Sequence, residues 1–137
     1  MKYFAILCLV FSIVGCEPPA SDVGPDPFSI FIYTKEGANY LDLTRGEDLE
    51  FYIIKNGGVK VNSFATRVQF RDSTILNTSD TFNVKPIPKD YYLKIGDDID
   101  TLFIERKDGK FKTVLFNGEK VEWRYNPGIH FFATKKR

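Results

Sequence analysis

Two dipeptides narrow the fold class more than anything else in the chain. Asp108-Gly109 and Asn117-Gly118 each stand between runs of alternating apolar and polar residues. Asp-Gly and Asn-Gly accept positive φ at consecutive positions. Two-residue hairpin turns require this, because only turns of that hand match the twist of the flanking strands. Thr101 to Lys107, Lys110 to Phe116 and Glu119 to Tyr125 therefore read as a continuous antiparallel meander. A helix would repeat its apolar positions every three or four residues, and here the period is two.

The same period extends upstream. Phe28 to Tyr33, Asn39 to Leu43 and Leu49 to Lys55 are strand candidates, and Asn56-Gly57-Gly58 turns the chain into Val59 to Val61. Phe64, Thr66, Val68 and Phe70 alternate with Ala65, Arg67, Gln69 and Arg71, the pattern of a strand with one apolar and one wet face. Thr81 to Lys85, Tyr91 to Ile95 and Ile129 to Ala133 complete the set. Thr44-Arg45-Gly46-Glu47 has the spacing of a helix capping box, but Gly46 and the strand-like run after it favour a turn. No helix is predicted. About nine short strands with turns at intervals of roughly ten residues predict an all-β fold. A single β-sandwich, immunoglobulin-like or similar, is the expectation, with a small barrel as the alternative.

The N-terminus sets a different constraint. Lys2 is followed by an apolar run from Tyr3 to Val14, broken only by Ser12, and then by Gly15-Cys16. Charged, apolar and small-residue parts in that order form a secretory signal peptide. The run is too short for a membrane-spanning helix, which needs about twenty residues. Ending in cysteine, the segment resembles the lipobox of bacterial lipoproteins. The resemblance implies a diacylglycerol on the Cys16 thiol, cleavage just before it, and membrane attachment through that lipid. The expected location is the cell envelope, at the outer membrane of a Gram-negative bacterium, on either its periplasmic or its surface face. Residues 17–27 hold four prolines and a glycine, which suits a semi-rigid extended spacer. The expected organisation is a signal peptide over 1–15, a lipidated cysteine and Pro-rich tether over 16–27, and one β-sandwich domain over 28–137.

Tyr91 to Leu102 and Phe116 to Val121 also resemble a group of small lipoproteins from Bacteroidota, which share an Asp-Thr-Leu strand start and a Phe-Asn-Gly turn. These motifs are strand starts and turns, so the resemblance implies architecture and transfers no catalytic residue. Asp72-Ser73-Thr74 and Asp100-Thr101-Leu102 resemble the three-residue O-glycosylation motif of that phylum.

Composition removes several function classes. Lys and Arg number 19 against 18 Asp and Glu, so no basic excess favours nucleic acid. The one basic run, Lys135-Lys136-Arg137, reads as a solubilising end. Of two cysteines, Cys8 lies in the signal and Cys16 carries the lipid, which leaves no thiol for a disulfide.

Few residues could carry chemistry. Asp97, Asp98 and Asp100 are close enough in sequence to supply oxygens to calcium, with a solvated turn as the plainer reading. His130 is the lone histidine, and no Gly-x-Ser-x-Gly elbow exists. Trp123 and Tyr125 share a strand face with Val121, and could either stack on a ligand or fill the core. No cofactor is implied. The expected function is an envelope binding or interaction module with a protein or glycan partner. The alternative is a glycan hydrolase with paired carboxylates drawn from Glu105, Glu119 and Glu122.

Overall fold

The computed structural model describes residues 27–79, 87–125 and 128–136, and about two thirds of them are strand. In chain order the elements are β1 (Phe28–Thr34), α1 (Tyr40–Leu43), β2 (Leu49–Ile54), β3 (Lys60–Phe70), β4 (Ser73–Ser79), β5 (Asp90–Ile95), β6 (Asp98–Lys107), β7 (Lys110–Phe116), β8 (Glu119–Lys120), β9 (Glu122–Tyr125) and β10 (Ile129–Lys135). The fold is all-β, and the β5–β6–β7–β8 meander follows the expected hairpins. Both residues of the Asp108-Gly109 and Asn117-Gly118 turns have positive φ.

The strands form one hydrogen-bonded order, β8-β7-β6-β5-β2-β3-β4-β1-β10-β9. This sheet folds onto itself. Phe28 on β1 and Phe51 on β2 are separated by β3 and β4, so on a flat sheet they would lie about 14 Å apart. Their ring centroids are 6.1 Å apart, and Phe28 also meets Tyr91 of β5 at 6.4 Å. The core is the space between the two layers. Ile30, Ile32, Leu76, Phe131 and Ala133 enter it from one side, and Ile53, Leu93, Ile95, Leu102, Ile104 and Val114 from the other.

One strand closes each flank. β3 pairs with β2 through Lys60–Ser63 and with β4 through Phe64–Phe70, passing from one layer to the other. At the opposite flank β8 and β9 are consecutive in the chain, with only Val121 between them. Glu119 and Lys120 pair with β7, the Val121 amide donates to the Val114 carbonyl at 2.9 Å, and Glu122 to Tyr125 pair with β10. The described strands therefore make one large sheet folded over on itself, with chain segments bridging the two layers at both flanks. Such joints reduce the unpaired edge that an open sandwich would expose. The first and last strands, β1 and β10, pair in parallel over seven positions, and no sequence signal announced that contact.

Four sequence expectations are corrected. Asn39 to Leu43 is a helical turn, not a strand. The Asn39 side chain accepts from the Asp42 amide at 3.1 Å and donates to the Thr74 carbonyl at 2.8 Å, which caps the turn and ties it to β4. That turn drives Leu41, fully buried, into one end of the core. Second, β4 had not been anticipated, and its turn uses Arg71 at φ 54° in place of glycine. Third, Val59 to Val61 is no separate return, since β3 runs unbroken from Lys60 to Phe70. Fourth, the alternation on β3 points opposite to intuition. Arg67 stands opposite fully buried Leu76, so it faces inward, while Phe64 faces out at 65% exposure. The two terminal nitrogens of the inward guanidinium donate to the carbonyls of Thr44 at 2.9 Å and Glu47 at 3.0 Å, in the loop that closes this end. The candidate strand Thr81 to Lys85 lies outside the described residues.

The outward side chains of β1 and β10 form a second aromatic layer. Phe31 stacks on Phe132 at 4.9 Å and meets Phe70 edge-on at 6.0 Å. Arg71 and Arg124 lie over Phe70 and Phe132 and cover part of this face.

Replacing Leu41 by Ala should destabilise the protein by about 2–5 kcal/mol, the usual range for a fully buried leucine. Urea unfolding measures it, and a loss below about 1 kcal/mol would show that the turn is not a plug.

Candidate functional site

The alternation that builds the core also carries two charges into it. Asp100 shares the inner face of β6 with Leu102 and Ile104, and Lys135 shares that of β10 with Phe131 and Ala133. The two meet across the layers at the α1 end. Lys135 Nζ donates to both carboxylate oxygens of Asp100 at 2.7 Å, and both residues are under 5% exposed. Lys135 also forms an ion pair with Asp98, and its ammonium lies 4.6 Å from the ring centroid of Tyr40. The Tyr40 hydroxyl donates to Asp98 Oδ2 at 3.1 Å. A buried charge costs several kcal/mol unless partners surround it, and here they do.

The Asn117-Gly118 turn completes the network. Asn117 Nδ2 donates to Asp100 Oδ1 at 2.6 Å, and its Oδ1 accepts the Thr101 amide at 2.8 Å. Asn117 thus serves the hairpin through its φ of 50° and the ion pair through its amide. Beside the network opens a cleft of about 400 Å³, lined by Asp98, Thr101, Asn117, Glu119, Thr134 and Lys136, among others.

Hydrogen bonding to Lys135 holds the Asp98 carboxyl below the usual carboxylate range, although burial opposes this. Burial alone would lower Lys135, but hydrogen bonds to Asp100 and Asp98 prevail and raise it. Burial raises Tyr40. Asp98 is thereby fixed as an anion and Lys135 as a cation. A glycosidase acid needs a carboxyl raised toward neutrality, the reverse of Asp98. The arrangement offers fixed charges and oriented hydrogen-bonding groups.

The sequence candidates are distributed as follows. Asp98 and Asp100 come together around the Lys135 ammonium, while Asp97 is exposed in the turn. Among the described residues no group of three or more His, Cys, Asp and Glu side chains is placed to hold a metal. Trp123 is half-buried and packs edge-on against Phe111 at 6.4 Å, and Tyr125, two residues further along β9, is 62% exposed. His130 is buried between the rings of Phe31 and Phe70. Glu105 pairs with Lys112 at 3.2 Å and Glu119 with Lys136 at 2.7 Å, while Glu122 is exposed on β9. Of the glycosylation-like triplets, Thr101 is exposed and Ser73 is half-buried. Cys16 lies outside the described residues, and among those described no helix is long and apolar enough to cross a membrane.

Sequence reasoning missed Lys135, which it placed in a solvated tail. The available signal was its parity with Ile129, Phe131 and Ala133. No family model matches the chain, and neither does any curated protein or solved structure.

Two outcomes follow from the buried pair. Asp100→Leu or Lys135→Met alone should each cost roughly 3–5 kcal/mol, because each removes one partner of a buried ion pair. The double variant should lose clearly less than the sum of the two, and additive losses in urea unfolding would refute the coupling. The pH dependence has two limits. Asp98 is lowered, so its contribution is complete above the unfolded carboxylate range and is lost as pH falls through its folded value. Lys135 and Tyr40 are raised, so theirs is complete below about pH 10 and is lost as pH rises further. Midpoints measured across pH should form a plateau that falls below about pH 4 and above about pH 10, with both falls shallower in Lys135→Met.

Proposed function

We propose that this chain is a lipid-anchored protein of the cell envelope that acts as a binding module. Its partner occupies the cleft beside Lys135. The observation that carries this reading is the cleft itself. Its floor is an ion pair and amide held rigid from β6, β7 and β10, and its rim presents Thr101, Thr134, Glu119 and Lys136. A site whose charges are locked by one another recognises polar groups without reorganising, the condition for binding at low entropic cost. Hydroxyls of a glycan or the backbone of an extended protein segment satisfy such a rim.

The Lys2 to Cys16 signal and its likeness to a lipobox support the anchor, and the Pro-rich segment after it supports a spacer of about 30 Å. The likeness to small Bacteroidota lipoproteins is in keeping with both. Hydrolysis has less support. Glu105 and Glu119 are each tied to a lysine, and Asp98 is tuned away from proton donation.

The test is a pull-down of the tagged lipoprotein from gently solubilised envelopes, beside a Thr134→Arg/Glu119→Arg variant that fills the cleft. A partner captured by the parent and lost by the variant is expected. Equal capture by both would move the site elsewhere, and glycan turnover by the purified parent would replace binding with catalysis. Mass spectrometry of the native protein should find Cys16 N-terminal and acylated, and a bare thiol there would remove the anchor.

A further inference from the structure

The chain enters the fold at Pro27–Phe28, at the end opposite the Lys135 cleft. Register fixes what shares that end. Phe28 pairs with Ile129, which pairs in turn with Tyr125, and across the core it meets Phe51 and Tyr91. Beyond those levels lie the Lys55–Val59 turn, Lys89 before β5, and the Lys107–Lys110 hairpin. Phe111, next to that hairpin, touches Phe131 at 5.3 Å, which ties the hairpin to the same end of β10.

Two properties coincide there. Lys55, Lys89, Lys107 and Lys110 are exposed, against the exposed acids Asp90 and Asp108. Large apolar side chains are exposed among them: Ile54, Val59, Phe64 and Tyr125, each about half exposed or more. At the far end the exposed charges are mixed, Glu36, Glu47, Asp48 and Asp97 beside Lys35, Arg45, Arg71 and Lys136, and Leu43 and Ile99 are exposed there as well. Lysines around exposed apolar and aromatic groups match a bilayer interface, where ammonium groups reach phosphates and the rings and branched chains sit at headgroup level.

We infer that the chain-entry end of the fold rests on a membrane surface bearing anionic lipid, with Lys55, Lys107 and Lys110 on the headgroups and Val59, Phe64 and Tyr125 against the interface. This inference rests on the lipid anchor proposed above, because the segment that follows Cys16 joins the fold at this end. Docking would turn the Lys135 cleft away from the membrane and toward its partner. The diacylglycerol carries two acyl chains and suffices for stable attachment, so the basic patch sets how the domain is oriented on the bilayer.

The test uses the full exported lipoprotein, reconstituted into vesicles of phosphatidylcholine alone or mixed with phosphatidylglycerol. Lysine acetylation read by mass spectrometry should show Lys55, Lys107 and Lys110 protected in the mixed vesicles at low salt. Lys120 and Lys136 should react equally in both, and high salt should abolish the protection. Lys107→Glu/Lys110→Glu should weaken the protection of Lys55 by roughly twenty-five-fold, about fivefold for each lysine lost. Equal labelling of both ends in both vesicles would overturn the docking and leave the anchor intact. Release from both vesicles at high salt would overturn the anchor. Docking is then read from low-salt flotation, where binding to the mixed vesicles alone, lost in the charge-reversal variant, upholds it, and no binding refutes it.

Discussion

The Lys135–Asp100 ion pair is the contact on which one end of this molecule depends. β6 and β10 belong to opposite layers, and at this level no backbone ladder joins them. An ammonium held by two carboxylate oxygens at 2.7 Å spans the gap where apolar side chains give out. Its worth lies in geometry more than in net free energy, since desolvating two ions consumes most of their attraction. The pair fixes the Asn117 turn, positions Tyr40 and α1, and forms the floor of the cleft.

The two flanks solve a related problem. A sheet of ten strands that stayed flat would leave its apolar inner faces wet. Folding it over buries them, and chain segments that change layers, β3 and 119–125, keep the ladder almost continuous at the folds. The inner face must then turn with the strand. Where β3 leaves the core an inward position falls at Arg67, which survives there because the Thr44 and Glu47 carbonyls receive it. Function follows from the same closure. A molecule joined along its sides offers two ends, and they differ. One is indented by the Lys135 cleft, and the other carries an excess of exposed lysines beside exposed apolar groups where the chain enters.

Much of this was legible in residues 91–125. Asp108-Gly109 and Asn117-Gly118 formed their turns with positive φ, and Val121 and Trp123 went to the core as their spacing allows. Local chemistry governs such features, so local sequence reports them. Asn39 to Leu43 was read as strand because its apolar spacing suits either form, and the bond from Asn39 to Thr74, thirty-five residues away, favoured the helical turn. The cluster around Lys135 was hidden for the same reason. Its members come from four separate segments, and a lysine two residues from the end of the chain resembles any solvated tail.

The sequence by itself determined the all-β class, the hairpins and the side of each strand that alternates, because twist, turn conformation and period-two geometry act within a few residues. Only the tertiary structure decided which alternating face turns inward, that the first strand pairs in parallel with the last, and that Asp98 and Asp100 surround a lysine. Those outcomes depend on register between distant segments, and a shift of one residue would have exchanged inside for outside.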